Sequence, residues 1–257
     1  MRPASSKPVG PAPPEGSLDA ERQRFSSLLR GARRVVALTG AGVSAESGVP
    51  TFRGPGGLWQ SHRPEDLATP EAFRREPRLV WEWYDWRRGL VAAARPNPAH
   101  RWLACYEETH PDFVLATQNV DGLHNAAGSR RVLELHGSLW RLRCTECAAE
   151  AEDRRVPLPV LPPLCAACGG LLRPGVVWFG EALPEVVLAE AASAVRACDL
   201  LLVLGTSAVV YPVAALPDLL PSGAALIEIN PDETPLSARA ALAVRAPAGR
   251  FLEPLLT

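Results

Sequence analysis

The sequence predicts an α/β fold built on a parallel, doubly wound sheet, together with a smaller zinc-binding part. Short apolar segments alternate with segments of helical spacing, which is the pattern of a parallel sheet covered by helices on both faces. The first apolar segment, 35–38, runs directly into a glycine-rich turn. Two Cys-x-x-Cys pairs indicate that residues 140–175 form a β module that binds zinc.

The elements follow in order along the chain. Residues 1–17 are rich in proline and poor in apolar side chains, so they are predicted to be a disordered tail. Apolar spacing and capping residues predict helices at 18–29, from Thr69 and Pro70 onward, and at 79–91, 97–109, 184–197 and 211–219. Short apolar runs predict strands at 35–38, 113–117, 200–204 and 225–229.

The composition is that of an ordinary globular protein. The 257 residues are 47% hydrophobic, and a chain of this length can bury a core without disulfides. No apolar run approaches the roughly 18 residues of a membrane span, and a net charge of −1 provides no overall attraction to nucleic acid or lipid. The N-terminus lacks the apolar segment of a secretory signal. We expect a cytoplasmic, monomeric protein with no nucleic-acid or membrane partner.

The basic residues and prolines are unusual in number. Lys7 is the single lysine among 27 basic residues, and there are 26 prolines. Heat adaptation and a GC-rich genome both account for this bias.

Four of the six cysteines have the spacing of a zinc site. Two matched Cys-x-x-Cys knuckles supply four thiolates to one ion and leave no open position, so the predicted zinc is structural. A redox pair does not account for two knuckles, and nothing in the sequence indicates an oxidising compartment. Cys105 and Cys198 are predicted to be small core residues. The predicted ligands are Cys144, Cys147, Cys165 and Cys168.

A glycine-rich turn follows the first predicted strand. Residues 40–45 read Gly-Ala-Gly-Val-Ser-Ala, which fits the G-x-G-x-x-G/A pattern of a dinucleotide-binding turn. A tight strand-to-helix turn also favours glycine, so the pattern alone does not decide. The acidic residue that follows a second strand in dehydrogenases is missing, and so is a P-loop lysine, which disfavours ATP. The next segment, 50–57, is predicted to be a flexible loop that carries Phe52 and Arg53.

Polar residues stand at three further strand ends, where open α/β sheets bind ligands. These segments are 117–124, 133–138 and 205–207. Asn119 and Asp121 can hold a polar ligand, or they can merely cap a turn. His136 belongs to a predicted apolar strand, and a histidine in such a strand is more often a hydrogen-bonded core residue than a functional one.

Taken together, these segments resemble the sirtuins, a family of NAD-dependent protein-lysine deacylases. The resemblance runs in order from about residue 18 to residue 253. It rests on the glycine segment 40–54, the Thr-Gln-Asn-Val-Asp-Gly-Leu-His of 117–124, the Leu-His-Gly of 135–137, the cysteine pairs and the Gly-Thr-Ser of 205–207.

The resemblance implies two domains. The Rossmann-like domain comprises about 18–60, 97–139 and 176–257. The small domain comprises a helical module, about 61–96, and the zinc ribbon, about 140–175. NAD, as co-substrate, and the acyl-lysine are expected to meet in the cleft between the two domains.

The resemblance also assigns residues to each ligand. Asn119 and Asp121 hold the nicotinamide, Phe52 and Arg53 lie over its ribose, and the segment 176–180 pairs with the substrate peptide by β-augmentation. The full set assigned to NAD is Gly40, Ala41, Gly42, Glu46, Thr51, Phe52, Arg53, Gln118, Asn119, Asp121, Gly205, Thr206, Ser207, Asn230 and Ala248. The peptide strand is Val176, Val177, Trp178, Phe179 and Gly180.

The reaction implied by the resemblance transfers the acyl group to ADP-ribose. The acyl amide oxygen displaces nicotinamide at C1′, and His136 then acts as general base on a ribose hydroxyl. The hydroxyl attacks the resulting alkylamidate, and water completes the release of free lysine and O-acyl-ADP-ribose, with nicotinamide as the third product. An ordinary histidine pKa of about 6.5 suits this role at neutral pH.

A helix rich in aromatic residues indicates which acyl group is removed. Tyr84 and Arg87 share one helix face, and a hydroxyl and a guanidinium can together hold a carboxylate. The alternative is an amphipathic helix that packs its Trp residues and leaves Arg87 and Arg88 in solvent. The pair resembles that of sirtuins that remove succinyl, malonyl and glutaryl groups, and Ala68 resembles the small residue that admits a longer acyl chain. The resemblance therefore implies desuccinylation and demalonylation beside deacetylation.

Three other functions stay open from the sequence. One is plain protein-lysine deacetylation, and a second is mono-ADP-ribosyl transfer, in which a protein nucleophile intercepts C1′. The third is a non-catalytic module that senses NAD, although His136, Asn119 and Asp121 are all present.

Overall fold

The computed structural model describes residues 18–52, 57–58 and 63–256, and it confirms the predicted α/β class. The predicted tail, 1–17, lies outside the described residues. The strands are β1 (Val35–Thr39), β2 (Val114–Thr117), β3 (Val132–Glu134), β4 (Gly137–Cys144), β5 (Glu150–Glu152), β6 (Leu172–Val176), β7 (Leu200–Leu204), β8 (Ala225–Ile229) and β9 (Leu242–Val244). Six of them form one parallel sheet in the order β3-β2-β1-β7-β8-β9, and β5-β4-β6 form a smaller antiparallel sheet.

The helices surround these two sheets. They are α1 (Asp19–Gly31), α2 (Ala41–Ala45), α3 (Pro64–Leu67), α4 (Pro70–Arg75), α5 (Pro77–Ala93), α6 (Pro98–Thr109), α7 (Leu123–Ala126), α8 (Glu185–Ala197) and α9 (Ala248–Leu252). Short 3₁₀ segments lie at Val213–Leu219, Ser237–Arg239 and Glu253–Leu255. Within the described part of the chain, no helix is both long and apolar enough to cross a membrane.

Both faces of the large sheet are buried, which is why its strands read as continuous apolar runs. Along β1, Val35 and Ala37 pack in one core cluster, whereas Val36 and Leu38 pack in another on the opposite face. Side chains that alternate between two cores require helices on both sides of the sheet. The sheet is therefore doubly wound, as the sequence predicts.

Proline and polar caps determine where several helices begin. The Thr69 hydroxyl accepts a hydrogen bond from Ala72 N, and Pro70 occupies the first turn of α4. Asn97 caps α6 in the same way, while the His100 ring accepts a bond from the Asn97 amide. Proline at the first helical position loses no hydrogen bond, because that amide has no partner within the helix.

Four expectations about local structure are wrong. Of the predicted peptide strand, 176–180, only Val176 lies in a strand, because the pairing of β6 with β4 ends there. The segment predicted as a helix at 211–219 is a 3₁₀ segment, because Pro217 stands inside it and has no N–H to donate. His136 lies in a turn between β3 and β4 instead of in a strand. Cys105 is exposed on α6, because its position falls on the solvent face of a half-buried helix. Cys198 is buried, as predicted.

The helical module and the antiparallel sheet share one core. Residues of α3 to α5, such as Leu67, Phe73 and Trp81, pack in one cluster with Leu139 and Leu142 of β4. The Trp81 indole also donates to the Leu172 carbonyl at 2.7 Å. The two parts therefore form a single packed unit beside the large sheet.

A buried arginine fastens α5 to this small sheet. Arg88 is 0% exposed, although one alternative placed the arginines of α5 in solvent. Its guanidinium donates to the backbone carbonyls of Leu139, Asp153 and Arg155 at 2.7, 2.7 and 3.0 Å. It also stacks on the Trp140 ring. One buried side chain thus forms hydrogen bonds to three backbone carbonyls, and the bonds to Leu139 and Asp153 are buried.

We expect Arg88→Met to lower the free energy of unfolding by about 3–5 kcal/mol, because removing one partner leaves buried groups unsatisfied. Denaturant unfolding of the zinc-loaded protein measures the change. Arg78→Met is the matched control, because Arg78 is exposed on the same helix and pairs with exposed Glu82. Similar losses in the two variants would contradict the structural role of Arg88.

Candidate active site

A deep cleft opens where the carboxyl ends of the large sheet face the small unit. Its volume is about 750 Å³. Parallel strands present their carboxyl ends at one edge, so the segments that follow β1, β2, β7 and β8 converge there. The opposite wall comes from α5 and from the segment after β6. Residues distant in sequence thereby face a single space.

Two glycine turns meet at the floor of the cleft. A Cβ atom on Gly40 or Gly42 would lie 2.9 or 2.7 Å from the Gly205 carbonyl oxygen, which is too close for any side chain. Gly205 itself has φ +57°, a conformation that favours glycine. The surface offered to a ligand at this point is therefore backbone, which suits a close approach by phosphate groups.

Amide side chains hold the neighbouring strand ends together. Gln118, after β2, donates to the Thr206 hydroxyl at 2.9 Å. Asn230, after β8, donates to the Thr206 carbonyl at 2.7 Å. These bonds fix the polar rim of the cleft before any ligand arrives.

Ser44 is the centre of a buried polar network behind Asn119. The Ser44 hydroxyl donates to the Asp121 carboxylate at 2.7 Å and accepts from the Asn119 amide at 3.1 Å. The other Asp121 oxygen accepts from Leu123 N at 2.9 Å, and its backbone carbonyl accepts from the Trp140 indole at 2.7 Å. Burial raises the pKa of Asp121. This network orients the Asn119 amide toward the cleft.

Two neutral histidines complete the network. His100 and His124 are buried, with ring centroids 4.8 Å apart. Burial lowers the pKa of His100 to about 4 and lowers that of His124 well below its usual value. The His100 ring accepts from Asn97 N and approaches the Ser44 hydroxyl at 3.4 Å. Both rings are therefore neutral at neutral pH.

His136 faces the cleft, and one of its two ring nitrogens is held by a hydrogen bond. Its Nδ1 lies 3.0 Å from the Gln118 carbonyl oxygen. A carbonyl can only accept, so Nδ1 carries the proton and Nε2 keeps its lone pair. Burial lowers the pKa of His136, against a smaller opposing effect of this hydrogen bond. The geometry is that of a proton acceptor at the cleft, and the catalytic role of His136 stays a prediction.

Tyr84 and Arg87 are both buried in the opposite wall of the cleft. The Arg87 guanidinium lies 4.7 Å from the centre of the Phe52 ring and 4.8 Å from that of Trp83. Burial lowers its pKa, although it keeps its charge at neutral pH. Burial raises the pKa of Tyr84, so the phenol stays protonated. The alternative in which Arg87 is solvated is therefore wrong.

The segment predicted to bind the peptide is anchored at several points. Val177 N donates to the His136 carbonyl, and Phe179 N donates to the Ala68 carbonyl, both at 2.9 Å. These bonds place the segment between the turn that contains His136 and the helical module. All five predicted residues, Val176, Val177, Trp178, Phe179 and Gly180, line the cleft.

Most residues assigned to NAD also line this cleft. Asp121 and Ala248 do not: Asp121 lies behind Asn119, and Ala248 is buried beside Pro247, which does line it. Arg53 lies outside the described residues. The residues in place are Gly40, Ala41, Gly42, Glu46, Thr51, Phe52, Gln118, Asn119, Gly205, Thr206, Ser207 and Asn230.

Glu46 has a second function that the sequence did not suggest. Its carboxylate accepts from Gly249 N at 2.6 Å and from Arg250 N at 3.0 Å. It thereby satisfies amide groups at the start of α9, where helix amides lack internal partners. Glu46 positions the backbone beside Ala248 at one end of the cleft.

Sequence reasoning missed several cleft residues. Ser44 belongs to the glycine motif, but its central place in the polar network depends on partners from the segment after β2 and from α6. Trp83, Val120, Leu183, Val210 and Tyr211 also line the cleft. They are mostly apolar, and no local pattern distinguishes an apolar wall residue from a core residue.

Comparison with known proteins shows to which family this chain belongs. A family model described as "Sir2 family" matches residues 40–212. The chain belongs to the Sir2 family. The NAD-dependent protein deacylase of Aquifex aeolicus is 58% identical over 204 residues, which are 79% of this chain and 85% of that protein. NAD-dependent protein deacylase 1 of Pseudomonas aeruginosa is 52% identical over 242 residues, with 89% and 95% covered. The resemblance to sirtuins is confirmed.

Solved structures of Sir2 proteins have the same fold. A Sir2 homologue in complex with NAD is 50% identical to this Sir2-family chain, with a TM-score of 0.85 and 91% of each chain covered. A complex of Sir2 with a p53 peptide and NAD+ is 35% identical, with a TM-score of 0.82 and 91% and 96% covered.

The four predicted zinc ligands come together in this sirtuin. Their sulfur atoms all lie within 4.8 Å of one another, and the Cys144–Cys168 and Cys147–Cys165 sulfur distances are 3.4 and 3.8 Å. Tetrahedral Zn–S bonds of about 2.3 Å require sulfur separations of roughly 3.8 Å. Backbone amides of Glu146 and Gly170 point at the thiolates. The cluster therefore fits a structural zinc ion.

We expect one zinc ion per chain. Cys144→Ser should lose the metal and solubility together, because metal binding supports the local fold. Metal analysis of the purified protein, alongside Cys105→Ser as the matched control on an exposed cysteine, measures this. A folded and active preparation without zinc would contradict the prediction.

We expect His136→Ala to reduce deacylation by about 10²–10⁴-fold, the usual contribution of a general base, while NAD still binds. A lowered pKa keeps the imidazole neutral below the usual histidine range. The midpoint of the acidic limb of the wild-type pH–rate profile should therefore lie below about pH 6.5. Near-normal turnover in the variant would return His136 to a structural role.

Proposed function

We propose that this Sir2-family protein is an NAD-dependent protein-lysine deacylase that prefers acidic acyl groups, succinyl and malonyl, over acetyl. The coarser activity, NAD-dependent deacylation, agrees with the names of its curated relatives. The preference for acidic groups is the finer proposal. It rests on the buried pair Tyr84 and Arg87 in the cleft.

The cleft suits NAD as co-substrate. The backbone cradle at Gly40, Gly42 and Gly205 leaves no room for side chains, and the Asn119 amide faces the same space. When bound, NAD supplies an electrophilic ribose C1′ with nicotinamide as the leaving group. His136 Nε2 is free to accept a proton from a ribose hydroxyl, and its Nδ1 bond to Gln118 fixes the tautomer that this step requires.

A buried arginine without an acidic partner supports the acyl preference. Arg87 is 6% exposed, and no carboxylate of residues 18–52, 57–58 and 63–256 lies within 4.0 Å of its guanidinium. Its neighbours are aromatic rings, which offset the cost of burial only in part. A substrate carboxylate at this place offsets that cost more fully.

The substrate is proposed to be an acylated lysine in an extended peptide. The segment 176–180 supports β-augmentation, which gives affinity through backbone bonds and demands little of the peptide sequence. A complex of a Sir2 relative with a p53 peptide supports a peptide substrate. A monomeric state, the cytoplasm as location and the absence of nucleic-acid or membrane partners stay predictions.

The products distinguish this reaction from ADP-ribosyl transfer. Incubation with NAD and an acyl-peptide panel should yield O-acyl-ADP-ribose and free lysine peptide, as detected by mass spectrometry. ADP-ribosylated protein as the main product would favour the transferase instead. If the wild-type protein releases these products from the acetyl peptide and from no other peptide of the panel, its function is plain deacetylation.

We expect Arg87→Met to weaken desuccinylation far more than deacetylation, because an acetyl group brings no carboxylate. Removing one partner of a buried charge pair costs about 2–5 kcal/mol, so kcat/KM for the succinyl peptide should fall roughly 30-fold to several thousand-fold. Tyr84→Phe should act in the same direction but more weakly, because it removes a hydroxyl and no charge.

The measurement is kcat/KM on matched acetyl and succinyl peptides. Arg78→Met, an exposed arginine on the same helix, is the control and should leave the succinyl-to-acetyl ratio unaltered. Equal losses on both peptides in the Arg87 variant would mean that the pair is structural.

A further inference from the structure

We propose that Trp178 is a positioning residue for acyl selectivity: its indole N–H fixes the direction in which the Tyr84 hydroxyl donates. This inference rests on the proposed acyl preference and deepens it. It gives the segment 176–180 a second role beside peptide pairing, since the same segment then orients the group that recognises the acyl chain.

One hydrogen bond carries the inference. Trp178 Nε1 lies 2.9 Å from the Tyr84 hydroxyl oxygen, and both residues are buried, at 3% and 2% exposure. An indole N–H can only donate, so the phenol oxygen must accept. The phenol proton is then directed away from Trp178. Because both side chains line the cleft, that proton is available to an acceptor on the substrate.

The phenol keeps this proton under working conditions. Burial raises the pKa of Tyr84, against smaller opposing effects of Arg87 and the Trp178 bond. A neutral donor and the charged Arg87 therefore stand one helical turn apart on α5. A carboxylate accepts from both, whereas an acetyl methyl group accepts from neither.

The indole is itself held by two neighbouring side chains. The Arg173 guanidinium lies 3.5 Å from the centre of the Trp178 ring, and Phe73 packs with a ring-centroid distance of 5.3 Å. Arg173 also forms a two-pronged ion pair with Glu181, at 2.5 and 2.8 Å. The same carboxylate accepts from Trp178 N at 2.8 Å. The ring cannot turn without breaking this cluster.

Preorganisation explains why such a device raises selectivity. When the hydroxyl hydrogen of a phenol can rotate freely, substrate binding must restrict it to one of several directions. A phenol whose oxygen already accepts from a fixed donor loses less entropy, and the existing bond polarises its O–H toward the acceptor. The benefit exists only for substrates that carry a carboxylate.

The test measures the ratio of kcat/KM for matched succinyl and acetyl peptides. Trp178→Phe keeps a ring for Phe73 and Arg173 but removes the N–H. We expect the ratio to fall about three- to tenfold, the effect of one neutral hydrogen bond. Any effect on peptide pairing is shared by both substrates and cancels from the ratio. Benzothienylalanine at position 178, which keeps the indole shape and lacks the N–H, should give the same fall.

A double-mutant cycle shows whether Trp178 acts through the Tyr84 hydroxyl. If Trp178 acts through the Tyr84 hydroxyl, Trp178→Phe should not lower the ratio further in a Tyr84→Phe background. Trp81→Phe is the matched control, because it removes a buried indole N–H bond in the same unit, to the Leu172 carbonyl. It should leave the ratio as in wild type.

The outcomes separate this inference from the proposed function. If wild type shows Arg87-dependent desuccinylation but Trp178→Phe and benzothienylalanine keep the ratio, only the positioning role is wrong. The same holds if the ratio falls equally with and without the Tyr84 hydroxyl. If wild type does not desuccinylate, the proposed acyl preference is wrong and the positioning role is overturned with it.

Discussion

The structure of the site depends on the close contact between two glycine turns. β1 and β7 lie side by side in parallel register, with Thr39 opposite Leu204. The turns that follow them approach until no Cβ atom fits between Gly42 and Gly205. This contact brings the first residues of α2 against the carboxyl end of β7. It also leaves bare backbone at the edge where the sheet binds its ligand.

The polar groups beneath that edge are arranged to be neutral or internally satisfied. Ser44, Asn119 and Asp121 bond to one another, and His100 and His124 are held uncharged by burial. Such a network changes little when a ligand enters, because its hydrogen bonds already exist. Preorganisation of this kind is how a site avoids the reorganisation that water requires. Among the described residues that line the cleft, His136 is the one histidine.

The small unit contributes the opposite wall and connects zinc to the substrate side of the cleft. The four thiolates fasten the end of β4 to the segment before β6. Arg173, on β6, then holds Trp178 and Glu181, and Trp178 contacts Tyr84. The four-cysteine cluster thus supports the wall of the cleft that contains Tyr84 and Trp178. Arg88 fixes α5, the helix that carries Tyr84 and Arg87, against the same sheet.

The sequence by itself determined what depends on neighbours along the chain. The strands are continuous apolar runs, Pro70 and Pro98 mark helix starts, and the cysteine knuckles have a spacing that serves one ion. The glycine motif has a local cause as well. Only the tertiary structure decided which side chains are buried together. Tyr84 and Trp178 are 94 residues apart and Glu46 and Gly249 are 203 apart, so no local pattern pairs them. The burial of Arg87 and Arg88 likewise depends on β4 and the cleft, because a helix face becomes interior only when another element covers it.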